Sequence, residues 1–326
     1  MPDINIVEAI NLALARALKD DDKVVVLGED VGINGGVFRA TDGLSERFGS
    51  ERVIDTPLSE GLIAGMSVGM AASGLRPVAE IQFMGFVYPA LDQIGCHASR
   101  MRNRTRSRLS CPMVLRAPYG GGVHAPEHHS ESIEAMFAHI PGLRVVIPSS
   151  PQRAYGLLLS AIRDPDPVVF FEPKRLYRSM TESVKDNGIA LPLDKVFILR
   201  PGTDITLVTW GAMVHETLIA AKQLAESGIA AEIIDMATLS PFDASDIVAS
   251  VEKTGRCMII HEAVRNCGFG AEIAATVAEQ AMMSLLAPVK RITGPDTIVP
   301  LARLESKFMP DAPAIISGAK EMMEYT

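Results

Sequence analysis

Side chains that could perform acid–base or metal chemistry gather in one short window of the chain. The stretch "VHAPEHHSES" (123–132) follows a triple glycine and contains His124, His128 and His129 beside Glu127 and Glu131. Together with a histidine seven residues later, the window holds four of the chain's seven histidines. Imidazoles next to carboxylates can bind a metal ion, transfer protons in catalysis, or lie in a solvated loop.

Zinc binding is the weaker of these hypotheses. His128 and His129 are adjacent, so their side chains do not easily face one ion from a regular element, and the chain has no HExxH or CxxC pattern. The glycines at 120–122 are not part of a phosphate-binding loop, because no GK[ST] follows them. Backbone lying close to a ligand is the best explanation of these glycines.

A second set of polar residues follows the ends of predicted strands. Glu29 comes directly after "VVVLG", Gln82 and Phe86 follow "VAEI", and Glu60 opens a predicted helix after "VIDTPLS". Each has an ordinary explanation, since an acid at a helix start compensates the helix dipole. Ligands of open α/β sheets, however, bind at the carboxyl ends of the strands. The convergence of carboxylates, an amide and aromatic rings therefore predicts an enzyme-like α/β domain.

The composition limits the class of protein. The 326 residues are 48% hydrophobic, which is enough for two packed cores, and the net charge of −8 argues against a nucleic-acid partner. No apolar run is long enough to span a bilayer, and the first ten residues resemble no targeting segment. The four cysteines fall at no metal or redox spacing. These features predict a cytoplasmic protein without membrane contact.

Apolar runs alternate with segments of helical period in the first half of the chain. Nearly continuous hydrophobicity is typical of parallel strands that are covered on both faces, and it predicts strands at 23–28, 77–83, 112–116, 143–148 and 167–172. One predicted helix carries the apolar stripe Val7, Ile10, Leu14 and Leu18. Others begin after Ser59 and at Ser150–Pro151, where the first residue can cap the helix.

The pattern changes after residue 175. Residues 176–200 are charged and show no sustained period, which predicts a linker. A second series of strands and helices follows, with strands "DITLVTWG", "AAEIIDM", "RCMIIHE" and "VKRIT" and helices at 212–227, 243–254 and 268–283. The sequence therefore predicts two doubly wound α/β domains, at 1–175 and 201–326.

Five arginines lie within nine residues of the stretch "SRMRNRTRSR" (99–108). Such a cluster can bind nucleic acid. The chain is acidic overall and the stretch contains no aromatic residue. A solvated or subunit-facing loop after a helix is the favoured interpretation.

Long motifs resemble one family along the whole chain. "VLGEDVGINGGVFRATDGL", "RVIDTPLSEGLIAGMSVGMAASGLRPVAEIQFMGFVYPALDQI", "HHSES" and "AIRDPDPVVFFEPKRLYR" resemble the beta subunits of thiamine-diphosphate-dependent 2-oxoacid dehydrogenases. "TLVTWGAMVHE" and "EIIDMATLSPFD" resemble the transketolase C-terminal domain of the same subunits. The resemblance implies a pyrimidine-binding fold followed by a transketolase C-terminal-like domain.

The resemblance also implies roles for individual residues. Glu60 would meet N1′ of the cofactor's aminopyrimidine and favour the tautomer that allows C2 to lose its proton. His129 would act near the reactive centre as a proton donor or electrostatic aid, with His128 as a less certain neighbour. Glu131 stands where glutamine is common. The residues implied to line the pyrimidine pocket are Glu29, Leu58, Gln82 and Phe86.

Metal ions and partners follow from the same resemblance. Relatives hold a structural potassium largely through backbone carbonyls, which suit a hard cation, and a simple helix-ending turn is the alternative here. The matching positions are Met113, Ala161, Ile162, Asp164 and Asp166. The chain has no GDG motif, so an alpha subunit is expected to supply the magnesium and diphosphate half of the cofactor site.

The implied assembly is a two-alpha, two-beta heterotetramer that binds a dihydrolipoamide acyltransferase core. Two local features, "GGVFRATDGL" and "PYGGGVHAPE", favour pyruvate over branched-chain 2-oxoacids as the small-molecule substrate. Three alternatives stay open at this point. They are a branched-chain beta subunit, a partial transketolase-like enzyme, and a non-catalytic scaffold that retains the fold.

Overall fold

The structure, a computed structural model, describes residues 3–325 and divides the chain into two compact units. The first unit extends to Tyr119 and resumes with Met136–Leu193. The second unit comprises the loop Gly120–Ala135 and the chain from Asp194 onward. The histidine-rich window therefore belongs to the same unit as the C-terminal half of the sequence.

Strands and helices alternate along the first part of the chain. In order, the elements are α1 (Ile6–Asp20), β1 (Val24–Gly28), α2 (Leu44–Phe48), β2 (Val53–Asp55), α3 (Glu60–Ala72), β3 (Arg76–Glu80), α4 (Met101–Arg104), β4 (Val114–Tyr119), α5 (Glu134–Ala138), β5 (Arg144–Val146), α6 (Pro151–Arg163) and β6 (Val168–Pro173). Single 3-10 turns lie at Met84–Phe86, Tyr88–Ala90, Glu127–His129 and Lys174–Leu176, and a π-helical segment spans Asp92–Ala98.

The sheet of the first unit is parallel and buried. Its strands run in the order β5-β6-β4-β3-β1-β2, and every neighbouring pair is parallel. Every residue of β1, β4 and β6 is buried. The five predicted strands of this half are thus confirmed, and parallel pairing brings their carboxyl ends to one edge of the sheet.

The helices of the first unit begin where the capping signals predict. Asn5 caps α1 in a capping box with Glu8, and the stripe that includes Ile10 and Leu14 is buried where α1 packs against α6. The Ser150 hydroxyl accepts from the N–H of Arg153 at the start of α6. These contacts confirm the stripe and the predicted start of α6.

The second unit contains a five-stranded sheet with one reversed edge strand. Its elements are β7 (Phe197–Arg200), β8 (Ile205–Thr209), α7 (Met213–Glu226), β9 (Ala231–Asp235), β10 (Thr238–Ser240), α8 (Ser245–Thr254), β11 (Cys257–Val264), α9 (Gly270–Ala281), β12 (Lys290–Gly294), α10 (Ala302–Phe308) and α11 (Ala312–Met323). The sheet order is β12-β11-β8-β9-β7, with β7 antiparallel to β9 and the other pairs parallel.

Two stretches that were predicted to be irregular contain short regular elements. The predicted linker at 176–200 ends in β7, because its last residues pair with β9 as an edge strand although they are only half-buried or exposed. The arginine-rich stretch is largely solvated after the π-helical segment, as predicted, with Arg100, Arg104, Arg106 and Arg108 exposed, but it contains the short helix α4, and Arg102 forms an ion pair with Asp166 at 2.7 Å. Within residues 3–325, no helix combines the length and the apolar composition that a bilayer-crossing helix needs.

Candidate active site

The carboxyl ends of β1 and β3 place two predicted site residues side by side. Gly28 and Glu80, the last residues of these strands, are paired in register. Glu29 follows the first strand directly, and Gln82 lies two residues beyond the second. Both side chains are half-buried at the edge of the sheet, which is where the sequence analysis expects a ligand.

Glu60 reaches the same edge from a helix start. β2 is the neighbour of β1, with Asp55 opposite Gly28, and five residues later Glu60 opens α3. Ser59 precedes it in extended conformation as the N-cap, but its side chain makes no capping hydrogen bond. The half-buried Glu60 therefore lies among the free N–H groups of a helix N-terminus, where a carboxylate is favoured.

Glu29 and Glu60 interact electrostatically. Burial raises the pKa of Glu29, and the negative charges of Asp30 and Glu60 raise it further. The structure thus brings the two predicted cofactor carboxyls within range of each other. Glu29 binds a proton more readily than an exposed glutamate does, and this property suits a carboxyl that shares protons with a bound base.

Aromatic rings form one side of this edge. Phe83 and Phe86 meet edge to face with their ring centroids 5.6 Å apart, and Phe38 meets Phe83 in the same way at 5.4 Å. Phe86 is half-buried in its 3-10 turn, whereas the predicted pocket residue Leu58 is 71% exposed. The other residues of the first unit therefore leave Leu58 and part of Phe86 accessible to a ligand.

Sequence reasoning missed Asp55, which positions the loop after Glu29. Its carboxyl accepts hydrogen bonds from the backbone N–H of Gly32 at 2.6 Å and of Ile33 at 3.1 Å. A Cβ at Gly32 would lie 2.8 Å from this carboxyl, so a side chain at this position would displace the aspartate. The aspartate in "DTPLSE" was a local signal for this role, because such side chains bind nearby backbone N–H groups in turns.

A buried ionic network lies directly below the edge. The guanidinium of Arg116, 1% exposed, binds both carboxyl oxygens of Glu172 at 2.7 and 2.9 Å and also contacts the Glu80 carboxyl. The Tyr177 hydroxyl donates to Glu172 at 2.6 Å. Burial alone would lower the pKa of Arg116, but the two carboxylates outweigh it and raise that pKa. The network ties the three neighbouring strands β3, β4 and β6 together.

His128 and His129 belong to the second unit, whereas the carboxyl and aromatic residues above belong to the first. The two histidines occupy the 3-10 turn Glu127–His129, with His128 exposed and His129 half-buried. The turn closes through the N–H of His129, which donates to the carbonyl of Pro126 at 2.9 Å. Before the turn the chain donates hydrogen bonds to buried carboxyl groups of the same unit, and after the turn its own buried Glu134 accepts one from Trp210.

Sequence reasoning also missed two short motifs, and neither has its usual meaning here. The string "GMSVG" (65–69) has the GxSxG pattern, but Ser67 is buried within α3 and donates to the Ile63 carbonyl at 2.8 Å. His124 and His128 are four residues apart, yet His124 pairs with Glu305 at 2.8 Å. Across residues 3–325, no group of three or more His, Cys, Asp and Glu side chains is arranged to hold a metal ion.

The predicted potassium positions share their oxygens with protein donors. Arg76 donates to the carbonyl oxygens of Ile162 at 3.0 Å and of Asp164 at 3.3 Å, and the carbonyl of Met113 accepts from the N–H of Val168 at 2.9 Å. Each carbonyl oxygen has a second lone pair, so these contacts leave acceptor capacity for a cation.

The side chains at this turn are also paired with cations of the protein. Asp164 binds Arg144 at 3.0 Å, and Asp166 binds Arg102 at 2.7 Å. The predicted set of five is completed by Ala161, which is buried near the end of α6. Oxygen ligands of this type suit potassium. The positive charges of the nearby guanidinium groups, however, weaken the binding of another cation.

The residues at the edge of the first sheet fit the pyrimidine half of thiamine diphosphate. A flat heteroaromatic ring needs apolar or aromatic faces and a partner for its ring nitrogen, and Phe86, Leu58 and Glu60 have those properties. The diphosphate half needs a magnesium ion held by oxygen ligands. The chain has no GDG sequence for that purpose.

Comparison with known proteins defines the class first. Residues 3–180 match the family model of the transketolase pyrimidine binding domain, and residues 194–315 match that of the transketolase C-terminal domain. A solved structure described as "Split gene transketolase, inactive beta4 tetramer" has a TM-score of 0.82 over 99% of both chains, at 23% identity, which is a likeness of fold. The fold is that of a two-domain, transketolase-like protein.

Relatives then define the family. The chain is 47% identical to the pyruvate dehydrogenase E1 component subunit beta of Bacillus subtilis (strain 168), over 325 residues and 100% of both chains. It is 47% identical to the protein of that name from Staphylococcus epidermidis and 46% identical to that from Staphylococcus aureus (strain Mu50), with the same coverage. The chain belongs to the family of pyruvate dehydrogenase E1 beta subunits, and the predicted family and fold are confirmed.

Proposed function

We propose that the chain is the beta subunit of a cytoplasmic pyruvate dehydrogenase E1 component. With an alpha subunit it decarboxylates pyruvate and transfers the acetyl group to the lipoyl group of the acyltransferase core. The observation that carries this proposal is the placement of Glu29 and Glu60 at the carboxyl edge of the first sheet, where β1 ends beside β2 and α3 begins. Full-length identity to beta subunits of that name supports it.

The proposal assigns thiamine diphosphate to this edge. When bound, the cofactor supplies the nucleophilic carbon and the electron sink of the reaction. Glu60 holds or releases the proton at the ring nitrogen N1′, and Glu29 supports that exchange as a second carboxyl with a raised pKa. Leu58, Gln82 and Phe86 orient the ring and exclude water from it. His129 donates a proton or stabilises charge during acyl transfer.

An alpha subunit is needed to complete the site. Several large apolar side chains of the first unit are exposed around the edge, namely Ile33 at 91%, Leu58 at 71%, Leu62 at 43% and Tyr88 at 40%. Exposed apolar groups of this kind mark surfaces that a partner covers. The proposal therefore includes a two-alpha, two-beta assembly in which the alpha subunit holds the magnesium and the diphosphate. The potassium at the 161–166 turn is also part of the proposal.

Pyruvate is proposed over branched-chain 2-oxoacids. The two substrates differ by aliphatic groups, and one methylene changes binding by only about 1–3 kcal/mol, so a pocket distinguishes them by volume. The half-buried Phe86 and the partly exposed Tyr88 lie in consecutive 3-10 turns at the edge of the sheet, where bulky rings favour the smaller substrate.

The test is reconstitution with an alpha subunit that carries a GDG motif. The specificity constants (kcat/KM) for pyruvate and 2-oxoisovalerate are compared on the purified complex, with the isolated chain as the control. We expect a clear preference for pyruvate and no turnover by the chain alone. A preference for 2-oxoisovalerate would assign the chain to a branched-chain enzyme, and turnover by the isolated chain would contradict the shared site.

A further inference from the structure

The loop Gly120–Ala135 is held by buried carboxyl groups that come from distant parts of the sequence. Glu262 lies in β11 and is 2% exposed, and Glu305 lies in α10 and is 1% exposed. Both belong to the same compact unit as the loop. Buried carboxyls are stable only when hydrogen bonds or charges satisfy them, so their partners identify what they hold.

Those partners are three closely spaced backbone N–H groups of the loop. Glu262 accepts from the N–H of Gly121 at 3.2 Å. Glu305 accepts from the N–H of Gly122 at 2.7 Å through one oxygen and from the N–H of His124 at 2.9 Å through the other. The imidazole Nδ1 of His124 lies 2.8 Å from that second oxygen. Hydrogen bonds to charged acceptors are among the stronger ones in proteins.

Two of the three glycines are explained by this close approach. A Cβ at Gly120, whose φ is +84°, would lie 2.4 Å from Glu262 Oε1, and a Cβ at Gly121 would lie 3.0 Å from the sulfur of Met309. The backbone can reach the carboxyls only because these positions lack side chains. The sequence predicts backbone near a ligand at these glycines, whereas in the structure Gly120 and Gly121 pack against side chains of the protein itself.

A second anchor holds the other end of the loop. The indole Nε1–H of Trp210 donates to Glu134 Oε1 at 3.2 Å, and Glu134 is fully buried at the start of α5. Trp210 in turn stacks on His261, with the ring centroids 5.2 Å apart. The His128–His129 turn lies between the two anchors.

We infer that Glu305, together with Glu262, is a positioning residue that fixes the His128–His129 turn for the reaction. This inference rests on the proposed function, in which His129 acts during acyl transfer. The hydrogen bonds within the turn define its shape but not its place in the unit. The anchors define its place, and a displacement of about 1 Å at a reacting group can lower turnover by about a hundredfold.

The experiment compares three variants. Glu305→Ala removes both acceptor oxygens, and Glu305→Gln keeps one of them. Glu216→Ala is the matched control, because Glu216 is also a buried carboxyl of the second unit that accepts a backbone N–H, from Ala312 at 3.0 Å, but it makes none of the loop contacts described above.

The first readout does not depend on activity. Hydrogen–deuterium exchange of the full chain is followed by mass spectrometry on the peptide that spans 120–126. We expect two amides to lose protection in Glu305→Ala, one in Glu305→Gln and none in Glu216→Ala. Unchanged exchange of this peptide in Glu305→Ala would overturn the inference, whatever the enzyme does.

The second readout uses the complex with the alpha subunit. We expect Glu305→Ala to lower kcat for lipoyl acylation by about tenfold to a hundredfold, with the KM for pyruvate changed less than about threefold. Glu305→Gln should recover part of the loss, and Glu216→Ala should match the wild type. Normal kcat in a variant whose loop has lost protection would overturn the positioning role. If the wild-type complex itself does not turn over pyruvate, the proposed function fails, and the exchange result still decides whether Glu305 holds the loop.

Discussion

The guanidinium of Arg76 donates a hydrogen bond to the carbonyl oxygen of Ile162 at 3.0 Å, within the turn where potassium is proposed. The same group reaches the carbonyl of Asp164. A cation of the protein thus binds oxygens that the ion would use. Removal of its charge should therefore strengthen potassium binding at this turn.

We expect the melting temperature to be higher in KCl than in choline chloride at the same concentration. The difference between the two salts should be larger for Arg76→Gln than for the wild type. A ligand at ten times its dissociation constant stabilises the folded state by about 1.4 kcal/mol. Arg52→Gln is the control, because Arg52 also donates to backbone carbonyls, those of Leu18, Asp21 and Val24, but to none of the predicted potassium positions. Equal melting temperatures in both salts for the wild type and for Arg76→Gln would show that the turn binds no potassium.

Glu60→Gln separates catalysis from helix capping. The substitution keeps the shape of the side chain but removes the ionisable group, so turnover by the complex should fall by about a hundredfold or more while the cofactor still binds. Glu8→Gln is the control, because Glu8 is also an acid in the first turn of a helix. If Glu60 served only the helix dipole, both variants would lose a little stability and keep their turnover.

The carboxyl edge of the first sheet could be predicted from the sequence because its signals are local. A continuous apolar run identifies β1, a serine before a helical period identifies the start of α3, and the parallel order then brings Glu29 and Glu60 to one edge. Helix and strand ends were accurate to within a few residues for the same reason. β7 was missed because its residues are not continuously buried and only its pairing with β9 makes it a strand.

The anchoring of the histidine loop could not be predicted in this way. Glu262 and Glu305 contact a segment that is 141 and 183 residues away in the sequence, and no local pattern encodes such a pairing. An isolated glutamate in an amphipathic segment is typical of a solvated helix face. The only local signal was the triple glycine. It indicates that the backbone lies close to another group, but it does not identify that group.

Gly120→Ala should destabilise the second unit more than the replacement by alanine of another glycine whose φ is similarly positive. Its φ is +84°, which costs an L-residue about 1–2 kcal/mol, and the added Cβ would also meet the Glu262 carboxyl. Gly228→Ala is the matched control in the same unit, because φ is +81° there and nothing lies within 4 Å of the added atom. We expect a clearly larger drop in melting temperature for Gly120→Ala. Equal decreases in melting temperature would show that the contact between the added Cβ and Glu262 does not destabilise the protein.

Glu134→Gln should change how stability depends on pH. Burial, aided by the charge of Glu262, raises the pKa of Glu134 from 4.5 to about 7. Between these values the folded chain keeps the proton that the unfolded chain releases, so the free energy of unfolding falls as pH rises. The full loss, reached above pH 7, is about 3.5 kcal/mol at about 1.4 kcal/mol per pKa unit.

Glutamine keeps an oxygen for the Trp210 indole but does not titrate. The melting temperature of Glu134→Gln minus that of the wild type should thus be near zero at pH 4.5 and should increase up to about pH 7. His261, whose pKa burial lowers to about 4, has the opposite effect between pH 4 and 6.5. It is present in both proteins and cancels in the difference. A difference that does not change with pH would show that Glu134 is ionised throughout.

His129→Ala decides between proton transfer and metal binding for the histidine-rich window. We expect the variant complex to lose about a hundredfold or more in acylation of the lipoyl group, in decarboxylation, or in both, as is typical when a general acid is removed. Decarboxylation is measured with an artificial electron acceptor and acylation with a lipoyl domain, so the two steps are separated.

His139→Ala is the control, because His139 is an exposed histidine just after α5. Metal content is measured on the same preparations, and none should contain stoichiometric zinc. Zinc that is present in the wild type and lost only in His129→Ala would instead make this histidine a metal ligand, with the adjacent His128 and nearby carboxylates as the further ligands to test.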